Sequence, residues 1–166
     1  EQDLLNNSYN ARQAILVSEN TRGTIFDRNG EKLAYTESNG ETEERIYPYS
    51  NLFSHIVGFS TKGKTGIEGL TNYYLINSDI PLSEKVENDL AQRKNPGNEV
   101  HTTLDANLQK VVYDSLGIYK SACVVTNVKT GEVLAMVSKP DFDPNTIAQD
   151  WDKFVEEEQT KNSSVL

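Results

Sequence analysis

Apolar residues are most concentrated between Ser121 and Pro140, where two short hydrophobic runs flank a polar turn. The first run, Ala122–Val125, contains β-branched valines, which favour a strand. The second run, Val133–Val137, is ended by Pro140, because proline cannot donate to a sheet ladder. Gly131, between the runs, can adopt the positive φ of a tight reversal. The pattern predicts a β-hairpin, and since both runs are apolar on both faces, it predicts a hairpin inside a covered sheet.

The position of this hairpin near the end of the chain is unusual. A buried hairpin needs further strands and helices over it, yet the chain ends at Leu166. We therefore expect the domain to be truncated there. Exposed strand edges and apolar faces favour pairing with another chain, so we expect self-association through Ala122–Val137, or disorder in that segment.

The first third of the chain predicts strands and turns. Ile15–Val17 is a short apolar run that predicts a strand. Asn29–Gly30 is a strong hairpin motif, because both residues tolerate positive φ, and the apolar positions on its two sides, Ile25–Phe26 and Leu33–Tyr35, predict the paired strands. Glu37–Glu44 is acidic and polar, which predicts a solvated loop.

The middle of the chain has apolar residues at helical spacing. Three short amphipathic helices are predicted, the last with Ser83 as a plausible N-cap. Asn95–Asn98 is the clearest break, and we place a boundary there between residues 1–97 and residues 98–166. The apolar positions of the three helices are Leu52, Phe53, Ile56 and Val57, then Ile67, Leu70, Tyr74 and Leu75, then Leu82, Val86 and Leu90.

A fourth helix is predicted after the break. Its apolar positions, from Leu104 to Leu116, recur on one face. Asp105 is placed to cap its start, and Gly117 to end it. We expect this helix to cover one face of the hairpin. The pattern of apolar residues is weaker in two terminal segments. Residues 1–13 predict a weak helix or an extended lead-in, and residues 151–158 predict a short acidic helix.

Composition and charge exclude several classes of protein. The 166 residues carry a net charge of −9 with a pI near 4.7, which argues against a nucleic-acid binder, since such a protein needs a basic patch. No apolar run approaches the roughly 18 residues of a membrane helix, and no signal peptide is recognisable. The single cysteine, Cys123, cannot form an internal disulfide, and its place in the strand predicts a small buried apolar residue.

Searches for catalytic or metal-binding residues give few candidates. His55, His101 and Cys123 are too far apart in sequence for metal-ligand spacing, and His55 is interpreted as a half-buried surface residue. Asp141 and Asp143 could act as paired carboxylates or bind calcium. The favoured interpretation is a turn shaped by Asx hydrogen bonds.

Short triplets also match motifs of serine penicillin-recognising enzymes. Lys64–Gly66 and Lys129–Gly131 both match K-T-G, and Ser8–Asn10 and Ser18–Asn20 match S-x-N. The decisive motif is S-x-x-K, and no serine of the chain has a lysine three positions later. We interpret the triplets as coincidences and predict no catalytic, cofactor-binding or metal-binding residue.

Six blocks of sequence, in order along nearly the whole chain, resemble the class B penicillin-binding proteins. Arg22–Ala34 is similar to the family pattern R-G-x-I-x-D-R-N-G-x-x-L-A, Thr102–Gln109 to T-T-L-D-x-x-L-Q, and Pro140–Asn145 to P-x-(F/Y)-D-P-N. The remaining blocks resemble the penicillin-binding protein A-like subgroup of Gram-positive bacteria. They are Asn7–Arg12, Arg45–Phe59 and Gly66–Leu75.

The resemblance implies an α+β fold. It places a β-hairpin-rich, non-catalytic pedestal module of the dimerisation type in residues 1–97. Residues 98–166 would be the opening helix and hairpin of a transpeptidase domain, which is incomplete. The family's nucleophile and its other catalytic motifs have no counterpart in this sequence.

The resemblance also implies a function for the full-length protein. A serine of the transpeptidase domain attacks the D-Ala–D-Ala end of a peptidoglycan stem peptide and passes the acyl group to a neighbouring amine, and β-lactams acylate the same serine. A single N-terminal anchor would hold the protein on the extracytoplasmic face of the cell membrane. The pedestal would hold the catalytic domain away from the membrane and contact a membrane glycosyltransferase.

Two other hypotheses remain open. The chain could be a stand-alone, non-enzymatic interaction module of the cell envelope that shares this ancestry. It could also be an independent acidic hydrolase using Asp141 and Asp143. No cofactor or nucleic-acid partner is expected under any of the hypotheses.

Overall fold

A computed structural model describes residues 11–39, 42–61 and 63–152 of the protein. Its helices are α1 (Ala11–Glu19), α2 (Ser54–Val57), α3 (Gly66–Leu70), α4 (Asn72–Ile76), α5 (Leu82–Leu90) and α6 (Ala106–Ser115), with a 3-10 helix at Ser50–Phe53. Its strands are β1 (Asn20–Thr21), β2 (Ile25–Phe26), β3 (Lys32–Ser38), β4 (Glu43–Ile46), β5 (Asn95–Pro96), β6 (Val100–His101), β7 (Ser121–Thr126) and β8 (Val133–Lys139). The predicted α+β class is confirmed.

The largest sheet of the described residues has four strands in the order β4–β3–β2–β6. Ile25 of β2 is opposite Ala34 of β3 on one side and opposite Val100 of β6 on the other. The β2–β6 pairing is parallel. A strand from beyond the predicted break at Asn95–Asn98 therefore completes a sheet that begins near residue 25.

The main hydrophobic core lies between this sheet and the short helices. Residues of β2 and β3 pack against the 3-10 helix, α2, α4 and the start of α6, all nearly free of solvent contact. Because residues from both sides of the predicted boundary contribute, the core is shared between them. The buried members are Ile25, Leu33, Ala34, Tyr47, Phe53, Val57, Leu75, Leu104 and Ala106.

The predicted hairpin at Ser121–Pro140 is confirmed. β7 and β8 pair antiparallel, from Ser121 opposite Lys139 to Thr126 opposite Val133. The expectation that both faces are covered is wrong within the described residues. Helix α6 and the 3-10 helix contact β8, whereas side chains of β7 alternate between half-buried and exposed. For the same reason Cys123 is half-buried and not buried as predicted.

Helix α6 follows its prediction closely. The Asp105 side chain accepts hydrogen bonds from the backbone N–H groups of Asn107 and Leu108, and Gly117 has a φ of 56° just after the helix. Its predicted apolar face is only partly correct, because Val111 is 61% exposed and the polar Gln109 is fully buried.

Several other predictions are wrong. Ile15–Val17 lies in helix α1 and not in a strand, since three apolar residues are too few to distinguish the two periodicities. Ser83 lies inside α5, whose N-cap position is held by Pro81 without a side-chain cap. Four of the eight residues of the predicted loop Glu37–Glu44 lie in strands, because β3 and β4 extend to pair Glu37 with Glu44.

The predicted helix through Ile67 and Leu75 is two short helices, α3 and α4, which meet at Thr71. Its expected apolar face is also partly wrong. Leu70 and Tyr74 are 72% and 55% exposed, while the charged Glu68 is fully buried. The pattern of apolar residues therefore did not predict the burial of Glu68.

Two close backbone approaches fix the path of the chain around β1 and β5. A side chain at Gly97 would collide with the carbonyl oxygens of Leu75 and Thr21, and one at Gly23 with the carbonyl of Asn98. Only glycine leaves room for these crossings. The close approach of Asn98 explains why glycine follows arginine in the block Arg22–Ala34, since a larger residue at position 23 would collide with it.

The segment after β8 forms a second, smaller core. Phe142 and Ile147 pack with Phe59, and Trp151 lies against them. The predicted polar turn is present, but its Phe142 is buried. Residues 147–152 are helical, and the rest of the predicted acidic helix, with Glu156–Glu158, lies outside the described residues, as do residues 1–10.

None of the helices within the described ranges has the length and apolar character to span a membrane.

Candidate functional site

The histidines and the cysteine lie in unrelated places. His55 Nε2 is 2.8 Å from the carbonyl oxygen of Pro140, and His101 stacks on Phe26 with ring centroids 4.9 Å apart. Cys123 is on β7. Across the described part of the chain, no group of three or more histidine, cysteine, aspartate or glutamate side chains is arranged to hold a metal ion.

The two aspartates after the hairpin bind protein groups. Asp143 Oδ1 accepts hydrogen bonds from the backbone N–H and the side-chain amide of Asn145, both at 2.9 Å, which is the predicted Asx turn. The Asp141 carboxylate accepts from Asn51 Nδ2 at 2.9 Å and from Tyr113 Oη at 2.6 Å. The hydrogen bond to Asp141 and partial burial raise the pKa of Tyr113 to about 12.

The K-T-G and S-x-N triplets are not brought together into a site by the described contacts. Lys129–Gly131 is the turn between β7 and β8, and Lys64–Gly66 leads into α3. Asn20, of the Ser18–Asn20 triplet, is buried and donates its side-chain amide to the carbonyl of Ile76 at 2.9 Å. The Ser8–Asn10 triplet lies outside the described residues.

A buried carboxylate, Glu68 on α3, is the centre of the largest polar network described. Its side chain has no exposed surface. Arg22 Nε donates to Glu68 Oε2 and Arg45 Nε donates to Oε1, each at 2.7 Å. The two guanidinium groups therefore approach the carboxylate from two different parts of the chain.

Each arginine also binds the backbone or a neighbouring side chain. Arg22 donates to the carbonyl of Glu68 at 2.9 Å and to Asn72 Oδ1 at 2.8 Å. Arg45 Nη1 donates to the carbonyl of Gly23 at 2.7 Å and to Thr36 Oγ1 at 3.1 Å. Hydrogen bonds of this charged type are stronger than neutral ones. The network therefore joins the segment before β2 to β3, β4, α3 and α4.

The charges of this cluster act on the groups around it. Burial, reinforced by the Glu68 charge, raises the pKa of Tyr47 to about 12, so its hydroxyl stays protonated and donates toward Glu68 Oε1 at 3.3 Å. Burial, reinforced by the Arg22 charge, lowers the pKa of Lys64. The cluster contains more cations than carboxylates.

A second buried carboxylate, Asp27, joins the first hairpin to helix α6. Its Oδ1 accepts from the backbone N–H groups of Asn29 at 2.6 Å and Glu31 at 2.9 Å. Its Oδ2 accepts from the N–H of Ala106, the first residue of α6, at 3.1 Å. Asp27 thus shapes a five-residue loop and supplies negative charge at the start of α6, where the helix dipole favours it.

The hydrogen bonds to Asp27 outweigh its burial. Burial alone raises the pKa of this carboxyl, whereas the bonds donated by Glu31, Ala106 and Asn29 favour the ionised form, and the net pKa lies below its ordinary value. Asp27 is only 1% exposed. The charged form is therefore the one that the folded protein stabilises.

Gln109 of α6 connects three elements through its fully buried amide. Its Nε2 donates to the carbonyls of Leu52 and Met136, and its Oε1 accepts from the N–H of Met136, all at 2.8 Å. The side chain therefore satisfies backbone groups of β8 and of the 3-10 helix.

Asn145 makes a similar connection from the end of the described chain. Its side chain accepts from the backbone N–H of Tyr47 at 2.9 Å and donates to the carbonyl of Tyr47 at 3.1 Å. Together, Asp27, Gln109 and Asn145 form what we call the polar joint, which connects residues before Asn95 to residues after it.

The polar joint and the Glu68 cluster explain the sequence blocks in physical terms. Arg22, Asp27, Arg45, Glu68, Gln109 and Asn145 all lie in those blocks, and each makes hydrogen bonds between distant segments. Reasoning from hydrophobic periodicity missed all six roles. The available indication was the occurrence of charged or amide residues inside otherwise apolar segments, as at Glu68 and Gln109.

Two family models match the sequence. The model described as the penicillin binding protein A dimerisation domain matches residues 22–100, and the one described as the penicillin binding protein transpeptidase domain matches residues 121–165. Asn145 therefore connects the two matched segments directly through Tyr47, and Gln109, which lies between the two segments, contacts Leu52 of the first and Met136 of the second.

Curated relatives and solved structures give consistent matches. The chain is 31% identical over 148 residues to the peptidoglycan D,D-transpeptidase PbpA of Mycolicibacterium smegmatis, covering 82% of this chain and 30% of that protein. It is 32% identical over 130 residues to MrdA, a peptidoglycan D,D-transpeptidase of Acinetobacter baumannii, covering 61% of this chain and 19% of that protein. These matches span less than a third of each relative's length.

The fold is similar to that of penicillin-binding protein A from Mycobacterium tuberculosis in its acyl-enzyme complex with penicillin G. The TM-score is 0.71 at 27% sequence identity, over 89% of this chain and 37% of that structure.

Replacement of Glu68 by glutamine tests the buried cluster. Glu68→Gln leaves two buried guanidinium groups without a counter-charge, and loss of one partner of a buried ion pair costs about 3–5 kcal/mol. We expect the free energy of unfolding, measured by urea titration, to fall by that amount. The matched control is Glu43→Gln, which removes a partly exposed ion pair to Lys94 at 2.9 Å, worth less than about 1 kcal/mol. Equal losses in the two variants would contradict the central role of Glu68.

Replacement of Asp27 by asparagine tests the polar joint through pH. The folded pKa of Asp27 lies below its unfolded value, so its contribution is present above the unfolded pKa of about 3.9 and is lost as pH falls through the folded pKa. Asp27→Asn should cost about 1.5–3 kcal/mol at neutral pH. The difference from the wild type should shrink progressively below pH ~4. Urea titrations at several pH values measure this difference.

The control for that measurement is Asp114→Asn, at an exposed position of α6. We expect less than about 0.5 kcal/mol at any pH. A difference between wild type and Asp27→Asn that stays constant from neutral to acidic pH would show that the ionised carboxylate is not what the joint requires.

Proposed function

The chain belongs to the class B penicillin-binding proteins, and from this membership we propose that, as part of a longer protein, it serves a serine-type D,D-transpeptidase of cell-wall synthesis. That protein cross-links peptidoglycan stem peptides. The curated relatives named above are peptidoglycan D,D-transpeptidases, and a structural neighbour is an acyl-enzyme with penicillin G.

Within that protein, we assign this chain a non-catalytic role. Residues 1–97 act as the pedestal module, and residues 98–166 begin the transpeptidase domain. The sequence contains no serine followed three positions later by lysine, and the carboxylates Asp27, Glu68 and Asp141 all bind protein groups. The catalytic serine is therefore assigned to a part of the protein outside this sequence.

The single observation that carries this proposal is the polar joint. Buried or partly buried hydrogen bonds join Asp27 to Ala106, Gln109 to Leu52 and Asn145 to Tyr47. Because each bond satisfies backbone groups that burial would otherwise leave unpaired, the residues before Asn95 and those after it form one packed unit. Such a unit fixes the orientation of the catalytic domain on its pedestal.

The proposed reaction follows ordinary acyl transfer. The serine oxygen attacks the carbonyl carbon of the penultimate D-alanine, the terminal D-alanine leaves, and an amine of a neighbouring stem then takes the acyl group and releases the serine. β-Lactams react at the same serine and form a stable acyl-enzyme. These steps belong to the full-length protein.

We also propose a location and a partner for the full-length protein. An N-terminal anchor would hold it in the cell membrane of a Gram-positive bacterium, with both modules on the extracytoplasmic face, where it would act in cell shape or cell division. The pedestal would contact a membrane glycosyltransferase, so that the synthesis of glycan strands and the cross-linking of their stem peptides occur together. Failure of the two proteins to co-purify from membranes would count against this contact.

A second candidate function is a stand-alone, non-enzymatic interaction module of the cell envelope. The exposed apolar residues of α5 favour a binding role, since Leu82, Val86 and Leu90 are 77%, 51% and 81% exposed. The gene sequence after Leu166 separates the two candidates. An S-x-x-K motif there supports the transpeptidase, and a stop codon supports the module.

Labelling with fluorescent penicillin tests the main proposal. We expect no covalent adduct on this 166-residue chain by intact mass, because it has no S-x-x-K serine. The longer gene product should carry one adduct per molecule. An adduct on the short chain would mean that one of its serines is activated. A longer product that is never labelled would overturn the transpeptidase assignment and favour the interaction module.

Self-association through Ala122–Val137 is the remaining proposal. Strand β7 pairs only with β8 in the described structure, and Val124 on it is 53% exposed. We expect this chain to self-associate in light scattering, and Val124→Lys to reduce the association, because a charge at an edge strand opposes pairing. The control, Val128→Lys, alters the turn, where Val128 is 96% exposed. A monodisperse wild-type monomer would contradict the proposal.

A further inference from the structure

Two adjoining cavities lie beside Gln92–Lys94, the segment after α5. One, of about 520 Å³, is bounded by the end of α1, the middle and end of α5, and β5. The other, of about 410 Å³, is bounded by β1, β4 and the end of β3. Gln92, Arg93 and Lys94 line both cavities. We call the combined feature the Lys94 cleft, with a first lobe at α5 and a second lobe at β4.

The divider between the lobes is fixed by hydrogen bonds. Lys94 Nζ donates to Glu43 Oε2 and to the carbonyl of Val17, both at 2.9 Å. Gln92 has a φ of 53°, a left-handed conformation that non-glycine residues keep only where the surroundings enforce it. The walls are therefore formed before any ligand arrives, which lowers the ordering cost of binding.

Charges are distributed unevenly between the two lobes. In the first lobe, Glu19 and Asp89 make no ion pair with any described residue. The acid of the second lobe, Glu43, is already paired with Lys94. The first lobe therefore offers free carboxylates to a cation, and the second does not.

Arg93 lines both lobes and has no ion pair among the described residues. Lys85 also lines the first lobe, and its ammonium donates to the carbonyl of Ser78 at 2.6 Å. Arg93 is therefore the free cation at the centre of the cleft. A guanidinium group binds carboxylates in a two-point geometry, so a carboxylate is the group that fits Arg93.

We propose that the Lys94 cleft binds an extended peptide that carries both a free amine and a carboxylate. The amine enters the first lobe beside Glu19 and Asp89, and the carboxylate binds Arg93 toward the second lobe. The identification of this peptide with a peptidoglycan stem peptide rests on the proposed function. The Lys94 cleft would then hold a stem peptide on the pedestal, away from the reactive serine of the transpeptidase domain.

The test is a titration of the 166-residue chain, followed by two-dimensional NMR, with the probe acetyl-lysyl-D-alanyl-D-alanine. This probe has one amine and one carboxylate. Two modified probes serve as comparisons. The first ends in a C-terminal amide and lacks the carboxylate, and the second is acetylated at Nε and lacks the amine. We expect saturable shifts at millimolar probe in the amides of the cleft, and weaker binding of both modified probes.

Two variants assign the ends of the peptide. Arg93→Gln should weaken binding of the parent probe about tenfold and abolish the preference for the acid over the amide. Asp89→Asn should weaken binding and abolish the preference for the free amine. Lys110→Gln, at an exposed position of α6, should leave all three affinities unchanged.

Absence of saturable shifts, or binding that Arg93→Gln and Asp89→Asn both leave unchanged, would overturn the inference. Penicillin labelling of the longer gene product does not depend on the cleft. Successful labelling without peptide binding would therefore reject the cleft alone, whereas failed labelling would reject the transpeptidase assignment.

Discussion

The burial of Glu68 is the constraint on which the first half of the protein depends. A carboxylate without exposed surface is costly unless it is paired and hydrogen-bonded, and here two guanidinium groups approach it from β4 and from the segment before β2. Each arginine then reaches a backbone carbonyl or a neighbouring side chain. The cluster adds directional bonds between elements that are themselves short, since α2, α3 and α4 are each five residues or fewer.

The polar joint extends the same principle across the chain. Asp27, Gln109 and Asn145 each satisfy backbone groups of a segment that is remote in sequence, and apolar residues of both segments fill the core between them. The arrangement combines directional bonds, which fix orientation, with non-directional burial, which supplies most of the free energy. Together they hold the residues before Asn95 and those after it in one orientation.

Local sequence features predicted local structure well. The hairpin around Gly131, the cap at Asp105 and the helix end at Gly117 depend on residues a few positions apart, and all three are present. Failures arose where distant contacts decide the outcome. Glu68 is buried although it is charged, since its two arginine partners are 46 and 23 residues away. The family resemblance marked the right blocks, but only the contacts show why Asp27, Gln109 and Asn145 stand in them.

The bond between Asp27 and Ala106 has a consequence for the order of folding. The two residues are separated by 79 positions, and β2 meets β6 across a similar span, with Ile25 opposite Val100. Closing so long a loop carries an entropic cost before any contact is gained, and contacts of high sequence separation slow folding. The four-stranded sheet therefore lacks β6 until the ribosome has released the 75 residues that separate Val100 from Ile25, and β2 keeps an open edge throughout that interval.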